Sequence, residues 1–316
     1  VKIAFVGKGG SGKTTLTSLF ASYVAGSGHP VLAVDADINQ HLAVALGASE
    51  EEAAALPTLG ENLPAIKDYL RGDNPLISSA DAMIKTTPPG RGSRLVRPFE
   101  DNPIFTECFR EIGGVRLGVT GRFTDDDLGV ACYHSKVGAA ELLLNHLVDD
   151  VGEYVVLDMT AGADAFASGL FTRFDVTFLV CEPTRRSVGV YRQYADYARD
   201  FGVRLAVVGN KVTDDEDVEF LRDELGDNLL CWLTGSGHVR AAERGQARPI
   251  ISLEPHNLDA LATMLSTVDS TPRDWDRFHR QAVEFHLRNA RSWAGEELAA
   301  QVDPGFVPGP PALTRS

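Results

Sequence analysis

A glycine-rich octet, Gly7-Lys8-Gly9-Gly10-Ser11-Gly12-Lys13-Thr14, separates an apolar run, Lys2–Val6, from a helical pattern, Lys13–Gly26. No other stretch limits the possible folds as strongly. The octet fits G-x-x-x-x-G-K-[ST], in which glycines let the backbone curl so that successive N–H groups face a chain of phosphates. The next helix turns the positive end of its dipole toward the same anion. Gly7, Gly9, Gly10, Ser11 and Gly12 then form the cradle, and Lys13 reaches the β- and γ-phosphates. The hydroxyl of Thr14 becomes a Mg2+ ligand, with Thr15 beside it at the helix start. A glycine-rich turn without a ligand is the alternative; the complete octet between strand and helix argues against it.

Further apolar runs occur at Val31–Val34, Val115–Val119, Tyr154–Leu157, Val176–Cys181, Arg204–Val208 and Leu229–Leu233. They are continuous rather than alternating, which predicts strands covered on both faces of a parallel sheet. Helical patterns occupy Val137–Asp149, Ser187–Phe201, Val218–Leu225, Val239–Arg244 and Asn257–Val268. The expected class is α/β, a doubly wound, mostly parallel sheet with helices on both faces and ligands at the C-terminal strand ends. Residues 1–268 are expected to form this domain, interrupted from about 48 to 113 by an irregular, proline-punctuated insert. Residues 269–316 are expected to hold a helix, roughly Pro272 to Ala300, and a proline-rich tail that is extended or disordered.

Charge narrows the partners. Across 316 residues, 44 Asp and Glu face 30 Lys and Arg, a net charge of −14, which argues against loose binding to nucleic acid or anionic lipid. Cys108, Cys132, Cys181 and Cys231 lie far apart with no CxxC pair, so a disulfide framework is not expected. No run of about 18 apolar residues and no secretory leader pattern occurs, and the expectation is a cytoplasmic protein without a transmembrane segment.

Lys8 is surplus to a phosphate cradle, and beside Lys13 it would be repelled unless an anion lay between them. The stretch Gly7-Lys8-Gly9-Gly10-Ser11-Gly12-Lys13-Thr14-Thr15 resembles the deviant Walker A loop of the MinD/ParA-like, SIMIBI-class P-loop ATPases. That family includes the nitrogenase iron protein, the arsenite-pump ATPase and the nickel-insertion ATPase that matures carbon monoxide dehydrogenase. The resemblance implies that Lys8 crosses a two-fold interface to the partner's nucleotide, and therefore a homodimer bridged by ATP. It extends over nearly all of residues 1–268 through spaced motifs.

Asp35-Ala-Asp37-Ile-Asn39 is similar to the family's switch I pattern, D-x-D-P-N, with Ile38 in place of the usual proline. By position Asp37 orders the attacking water and Asp35 supports Mg2+, although either aspartate could instead cap the next helix. Val155-Val-Leu-Asp158-Met-Thr-Ala-Gly162 has the Walker B form: Asp158 is expected to hold Mg2+ through water, and Gly162 to let the switch II backbone approach the γ-phosphate. Asn210-Lys211 resembles the base-reading segment, where an Asn side chain meets the adenine edge as donor and acceptor at once. Residue 213 is Thr rather than the Asp that would read guanine, so ATP is the expected nucleotide. Thr234 replaces a proline usual beside adenine.

The branches of the family differ in chemistry. A bridging iron–sulfur cluster needs a cysteine in switch II, and Asp158 to Leu170 contains none. A membrane organiser needs a basic amphipathic helix, whereas the C-terminal helix balances five arginines against five acidic residues. The nickel-insertion branch carries a C-x-C pair before a helix at the dimer axis; here that stretch reads Cys132-Tyr133-His134. Both residue types ligate Zn2+ or Ni2+, so two chains would supply Cys2His2. A packing thiol beside an ordinary histidine is the other reading. The expected function is a MgATP-dependent dimeric switch acting on a client protein, in metalloenzyme maturation or metal insertion. A ParA/MinD-like spatial organiser and an ATP-coupled accessory protein of a metal-free biosynthetic enzyme stand as alternatives.

Overall fold

The computed structural model describes residues 1–121, 133–160, 166, 169–293 and 296–310. Its strands are β1 (Lys2–Gly7), β2 (Val31–Ala36), β3 (Phe109–Ile112), β4 (Val115–Val119), β5 (Tyr154–Met159), β6 (Val176–Cys181), β7 (Leu205–Val212) and β8 (Leu229–Thr234). They form one eight-stranded sheet in the order β3-β4-β2-β5-β1-β6-β7-β8. All neighbours pair in parallel except β3, which runs antiparallel to β4. Every expected strand is present. β3 is the addition: four residues, half of them exposed, carry too little apolar pattern to announce a strand. Gly113 and Gly114, both at positive φ (59° and 80°), make the two-residue turn that folds it onto β4.

The helices are α1 (Lys13–Gly26), α2 (Leu42–Ala45), α3 (Glu50–Ala54), α4 (Leu63–Arg71), α5 (Pro103–Cys108), α6 (Tyr133–His146), α7 (Arg185–Ala198), α8 (Asp215–Leu225), α9 (Gly237–Ala242), α10 (Pro255–Asp269), α11 (Trp275–Trp293) and α12 (Glu296–Ala299). Residues alternate across the sheet, so β1 sends Ile3 and Phe5 into one core and Ala4 and Val6 into the other. The first core is closed by Leu16, Phe20 and Val24 of α1 and by Leu261, Met264 and Val268 of α10. The second is closed by α4, α6, α7 and α8, together with Phe285 of α11. Burial on both faces explains why the strands read as unbroken apolar runs. The insert is more regular than its prolines suggest, since α3, α4 and α5 lie within it.

The C-terminal segment is packed rather than loose. Asp274 caps α11 by accepting the N–H of Arg277 at 2.8 Å, so the helix starts three residues after Pro272. Phe285 stacks edge-on against Phe171 (centroids 5.7 Å) and lies over Gly169, where a Cβ would come within 2.3 Å of its ring. Beyond α12 the described residues form turns and are pinned: Gln301 accepts from the Thr87 hydroxyl at 3.0 Å, and Asp303 accepts from the Arg91 N–H at 3.1 Å. Phe285→Ala should therefore cost about 3–5 kcal/mol of folding stability. Urea unfolding followed by circular dichroism measures the loss; a midpoint unchanged from the parent would mean that α11 rides on the domain without supporting it.

Candidate functional site

β1 lies between β5 and β6, so the octet after it opens at the middle of the sheet's C-terminal edge. Ser11 N–H closes the turn onto the Lys8 carbonyl at 3.0 Å. Gly7 has no room for a side chain: a Cβ would lie 2.6 Å from Ser11 Oγ and 2.9 Å from the Val180 carbonyl. Gly10 and Gly12 adopt φ of 85° and 86°, left-handed values that glycine reaches without penalty. Gly9 has open space around it, and Ser11 Oγ is buried with no hydrogen-bond partner among the described residues.

Lys13 is turned inward and buried. Its Nζ donates to Asp37 Oδ2 at 2.9 Å and to Asp158 Oδ1 at 2.5 Å, and lies 3.5 Å from Thr14 Oγ1. Burial pulls this ammonium's pKa down, but the charges of Asp158 and Asp37 outweigh it and the pKa is raised. For Asp37, burial is likewise overcome, by Lys13 and the Asn39 N–H, and its pKa is lowered. Asp158 goes the other way, because its complete burial prevails over the same lysine. Its Oδ1 also receives the Thr17 hydroxyl at 3.4 Å, while its Oδ2 has no partner among the described residues.

Asp35 and Asp158 sit side by side at the ends of β2 and β5. Burial and the neighbouring Asp158 charge push Asp35 up to about 7. Asp35 is held by backbone, accepting the N–H groups of Asp37 (3.1 Å) and Leu42 (2.9 Å). That is the capping alternative for Asp35, since Leu42 opens α2. Asp37 instead points at Lys13 and accepts Asn39 N–H at 3.0 Å.

On the other flank, β7 carries one extra residue between Gly209 and Val212 relative to β8. Such a bulge re-aims side chains, and here both Asn210 and Lys211 turn to the glycine loop. Asn210 Nδ2 donates to the Ser11 carbonyl at 2.7 Å, and Lys211 Nζ donates to the Gly10 carbonyl at 2.5 Å. Asn210 thus braces the loop from behind. Thr213 donates through its N–H and hydroxyl to Asp217, and the Thr234 N–H donates to Asn257. Thr15 is half-buried in the first turn of α1, its carbonyl accepting from Ser18. Gly162 and Cys132 lie outside the described residues, as does the side chain of His134, whose backbone belongs to the first turn of α6.

Residues not anticipated from the sequence also reach the site. Glu182 pairs with Lys211, and Thr120 links Gln40 to the Asp35 carbonyl. Glu182 was discoverable, because it directly succeeds the β6 run, where parallel sheets place ligands. Nothing in the sequence marks Gln40 or Thr120.

A glycine cradle at a helix N-terminus, with a buried lysine and two strand-end carboxylates, defines a P-loop nucleotide-binding protein. Comparison with known proteins narrows this. The chain belongs to the CobQ/CobB/MinD/ParA nucleotide-binding family, whose domain model matches residues 3–271. The carbon monoxide dehydrogenase accessory protein CooC of Rhodospirillum rubrum is 30% identical over 246 residues, 77% of this chain and 87% of that one. An ATP-binding protein of Methanocaldococcus jannaschii is 30% identical over 236 residues, 72% and 81% of the two chains. Among solved structures, the septum site-determining protein MinD of Pyrococcus horikoshii, complexed with Mg-ADP, superposes with a TM-score of 0.56 at 17% identity over 85% of this chain and 96% of that one. A ParA family ATPase from Chlorobium tepidum gives 0.52 at 14% identity, over 90% and 97%. At those identities the likeness is one of fold. The chain is an ATPase of the MinD/ParA class, and no described helix is long and apolar enough to cross a membrane.

Gly12 offers the sharpest test of the cradle. A Cβ there would meet Asn210 Nδ2 at 2.3 Å on a left-handed backbone. Gly12→Ala should lower ATP affinity at least about tenfold and also lower the melting temperature, since strain of this kind costs about 1–3 kcal/mol. Gly9→Ala, in open space, should leave the melting temperature in place. Titration calorimetry and thermal melts read both; ATP affinity in Gly12→Ala equal to the parent's would break the link between Asn210 and the loop.

Proposed function

We propose that this protein is a MgATP-driven dimeric switch whose ATP-bound form engages a client protein and whose hydrolysis step releases it, the client being a metalloenzyme under maturation. The observation that carries this reading is Lys13 held between Asp37 and Asp158. ATP phosphates compete for the same ammonium, so nucleotide entry exchanges two carboxylate partners for phosphate oxygens. That exchange frees Asp37 and the loop it anchors, and the presence of nucleotide becomes a change of shape.

In this proposal Ser11, Lys13 and the cradle glycines hold the phosphates, and Asn210 steadies the loop beneath them. Asp37, once released, orients a water in line with the γ-phosphorus. A bond forms from that water's oxygen to the γ-phosphorus, and the bond from that phosphorus to the β–γ bridging oxygen breaks. One water proton passes to solvent while the other stays on the new phosphate, giving ADP and hydrogen phosphate. Thr14 and Asp158 fit Mg2+: the buried Oδ2 of Asp158, without a partner among the described residues, is an acceptor in need of a donor or cation. When bound, the metal supplies positive charge against the phosphate oxygens. Lys8 contributes to the partner's site, which makes the dimer ATP-dependent. The similarity to the CooC accessory protein supports a metalloenzyme client. Cys132 and His134, doubled across a two-fold axis, are the residues proposed to hold Zn2+ or Ni2+ there.

Asp37→Ala should bind MgATP but lose turnover at least about 100-fold, and should accumulate as the ATP dimer. Coupled ATPase assays with light scattering track this; turnover at the parental rate would remove Asp37 from the mechanism. The same trapped variant, used as bait with MgATP, should retain a metal-containing enzyme that the parent releases. Lys13→Ala should lose MgATP binding and about 3–5 kcal/mol of stability, because two buried carboxylates lose their counter-ion. Equilibrium dialysis and chemical denaturation measure the two effects separately. Elemental analysis of the ATP dimer should find about one Zn2+ or Ni2+ per two chains, absent in Cys132→Ser; a metal-free parent dimer would leave Cys132 as a packing thiol.

A further inference from the structure

Glu182, at the end of β6, faces two lysines of the nucleotide site. Its Oε1 accepts Lys211 Nζ at 2.8 Å, and its Oε2 lies 3.9 Å from Lys8 Nζ. We propose that Glu182 is a positioning residue that biases Lys8 toward its own subunit, an attraction that Lys8 gives up when a second copy of the chain presents its nucleotide phosphates. This rests on the ATP-bridged dimer proposed above.

The backbone of Glu182 is held on both sides. Glu182 N–H donates to Ser187 Oγ at 3.0 Å, and its carbonyl accepts Thr184 N–H at 2.7 Å. Lys211 shares its ammonium between Glu182 and the Gly10 carbonyl, so the glutamate and the tip of the loop are tied to one cation. Lys211 does this from φ +59°, a left-handed value that costs a lysine and persists only where its surroundings demand it. The β7 bulge produces that conformation. The device therefore has a rigid end, formed by Glu182 and Lys211, and a loose end, Lys8.

Looseness is what the task needs. Lys13 is gripped at 2.5 and 2.9 Å in a buried site, whereas Lys8 stands 3.9 Å from a part-exposed carboxylate. At that separation the attraction orients Lys8 without a full hydrogen bond. A phosphate chain carries more charge than one carboxylate that is already shared with Lys211, so it wins the lysine when it arrives. Until then Glu182 biases Lys8 toward its own subunit.

The test is the protein concentration at half-dimerisation in MgATP, measured by sedimentation velocity for the parent, Glu182→Gln, Lys8→Ala and the double variant. Two Lys8–Glu182 pairs break per dimer, each worth a factor of about two, so Glu182→Gln should lower the midpoint about fourfold. In the Lys8→Ala background the same substitution should not shift it. A midpoint that rises or stays put in Glu182→Gln overturns the proposal. An equal shift without Lys8 also overturns it, because the charge would then act directly or through Lys211. If Glu182→Gln does not fold, Glu182→Asp, which withdraws the carboxylate by one methylene, must lower the midpoint in the same direction. A parent that stays monomeric in MgATP sinks the dimer reading and the bias on Lys8 together, whereas a dimerising parent with an unresponsive Glu182→Gln sinks the bias on Lys8 alone.

Discussion

One ammonium group, Lys13 Nζ, joins the three parts of the chain that make the site. It rises from α1, and it binds Asp37 in the loop after β2 and Asp158 at the end of β5. All three side chains are buried or nearly so, and a buried charge is tolerable only with its partner in place. The arrangement is unbalanced, however. Asp35, Asp37 and Asp158 crowd one lysine, which is why burial and the Asp158 charge push Asp35 up to about 7 while backbone N–H groups restrain it. A bare triphosphate would add negative charge to this corner, so charge balance requires that the nucleotide arrive with a cation.

The glycine loop is held as firmly from outside as Lys13 holds the interior. Carbonyls of Ser11 and Gly10 point away from the cradle and are taken up by Asn210 and Lys211. Turning those carbonyls outward directs loop N–H groups other than that of Ser11, which closes the turn onto Lys8, toward a phosphate. The bulge in β7 is the cause, since regular pairing would send consecutive side chains to opposite faces of the sheet. The rule that places ligands at C-terminal strand ends is therefore met here by three strands: β1 supplies the loop, while β6 and β7 supply its brace.

Much of the fold was legible because both sheet faces are buried. Runs such as Val31–Val34 and Val176–Cys181 could be strands of little else. The octet gave the start of α1 to the residue, because a glycine at positive φ ends the loop and Lys13 begins the helix. β3 escaped because Phe109-Arg-Glu-Ile depends on β4 for its pairing and carries no core-facing alternation of its own. In the site, Lys13, Asp37 and Asp158 stood out by residue type and spacing. Their mutual pairing did not, because it joins residues 24 and 145 positions apart. Gln40 was hidden for the same reason, and it additionally adopts φ 48°, which no sequence signal predicts for glutamine. The place of Glu182 after the β6 run was readable, but its pairing with two lysines was not.

The C-terminal segment obeys a different logic. The family match ends at residue 271, and a chain leaving the domain there could have been a mere appendage. Instead α11 buries Phe278, Ala282 and Phe285, and the chain beyond it reaches back to the insert. Arg173, just past the stretch after β5, is almost wholly buried, and its guanidinium donates to the Phe278 carbonyl at 3.1 Å while lying over that residue's ring. His286 lies 3.3 Å from the Thr86 hydroxyl and 2.7 Å from the Leu298 carbonyl, so one imidazole spans the insert, α11 and the segment beyond it. Both ring nitrogens are engaged and burial lowers its pKa, which favours the neutral form. Arg173 donates to a carbonyl of this helix, and His286 ties the helix to the insert and to α12, so the helix is packed as part of the core. Removing it would leave Arg173 without its carbonyl partner and Thr86 without its imidazole, in addition to exposing Phe171 and Gly169. The insert, the stretch between β5 and β6 and the residues beyond 271 are consequently packed together through α11.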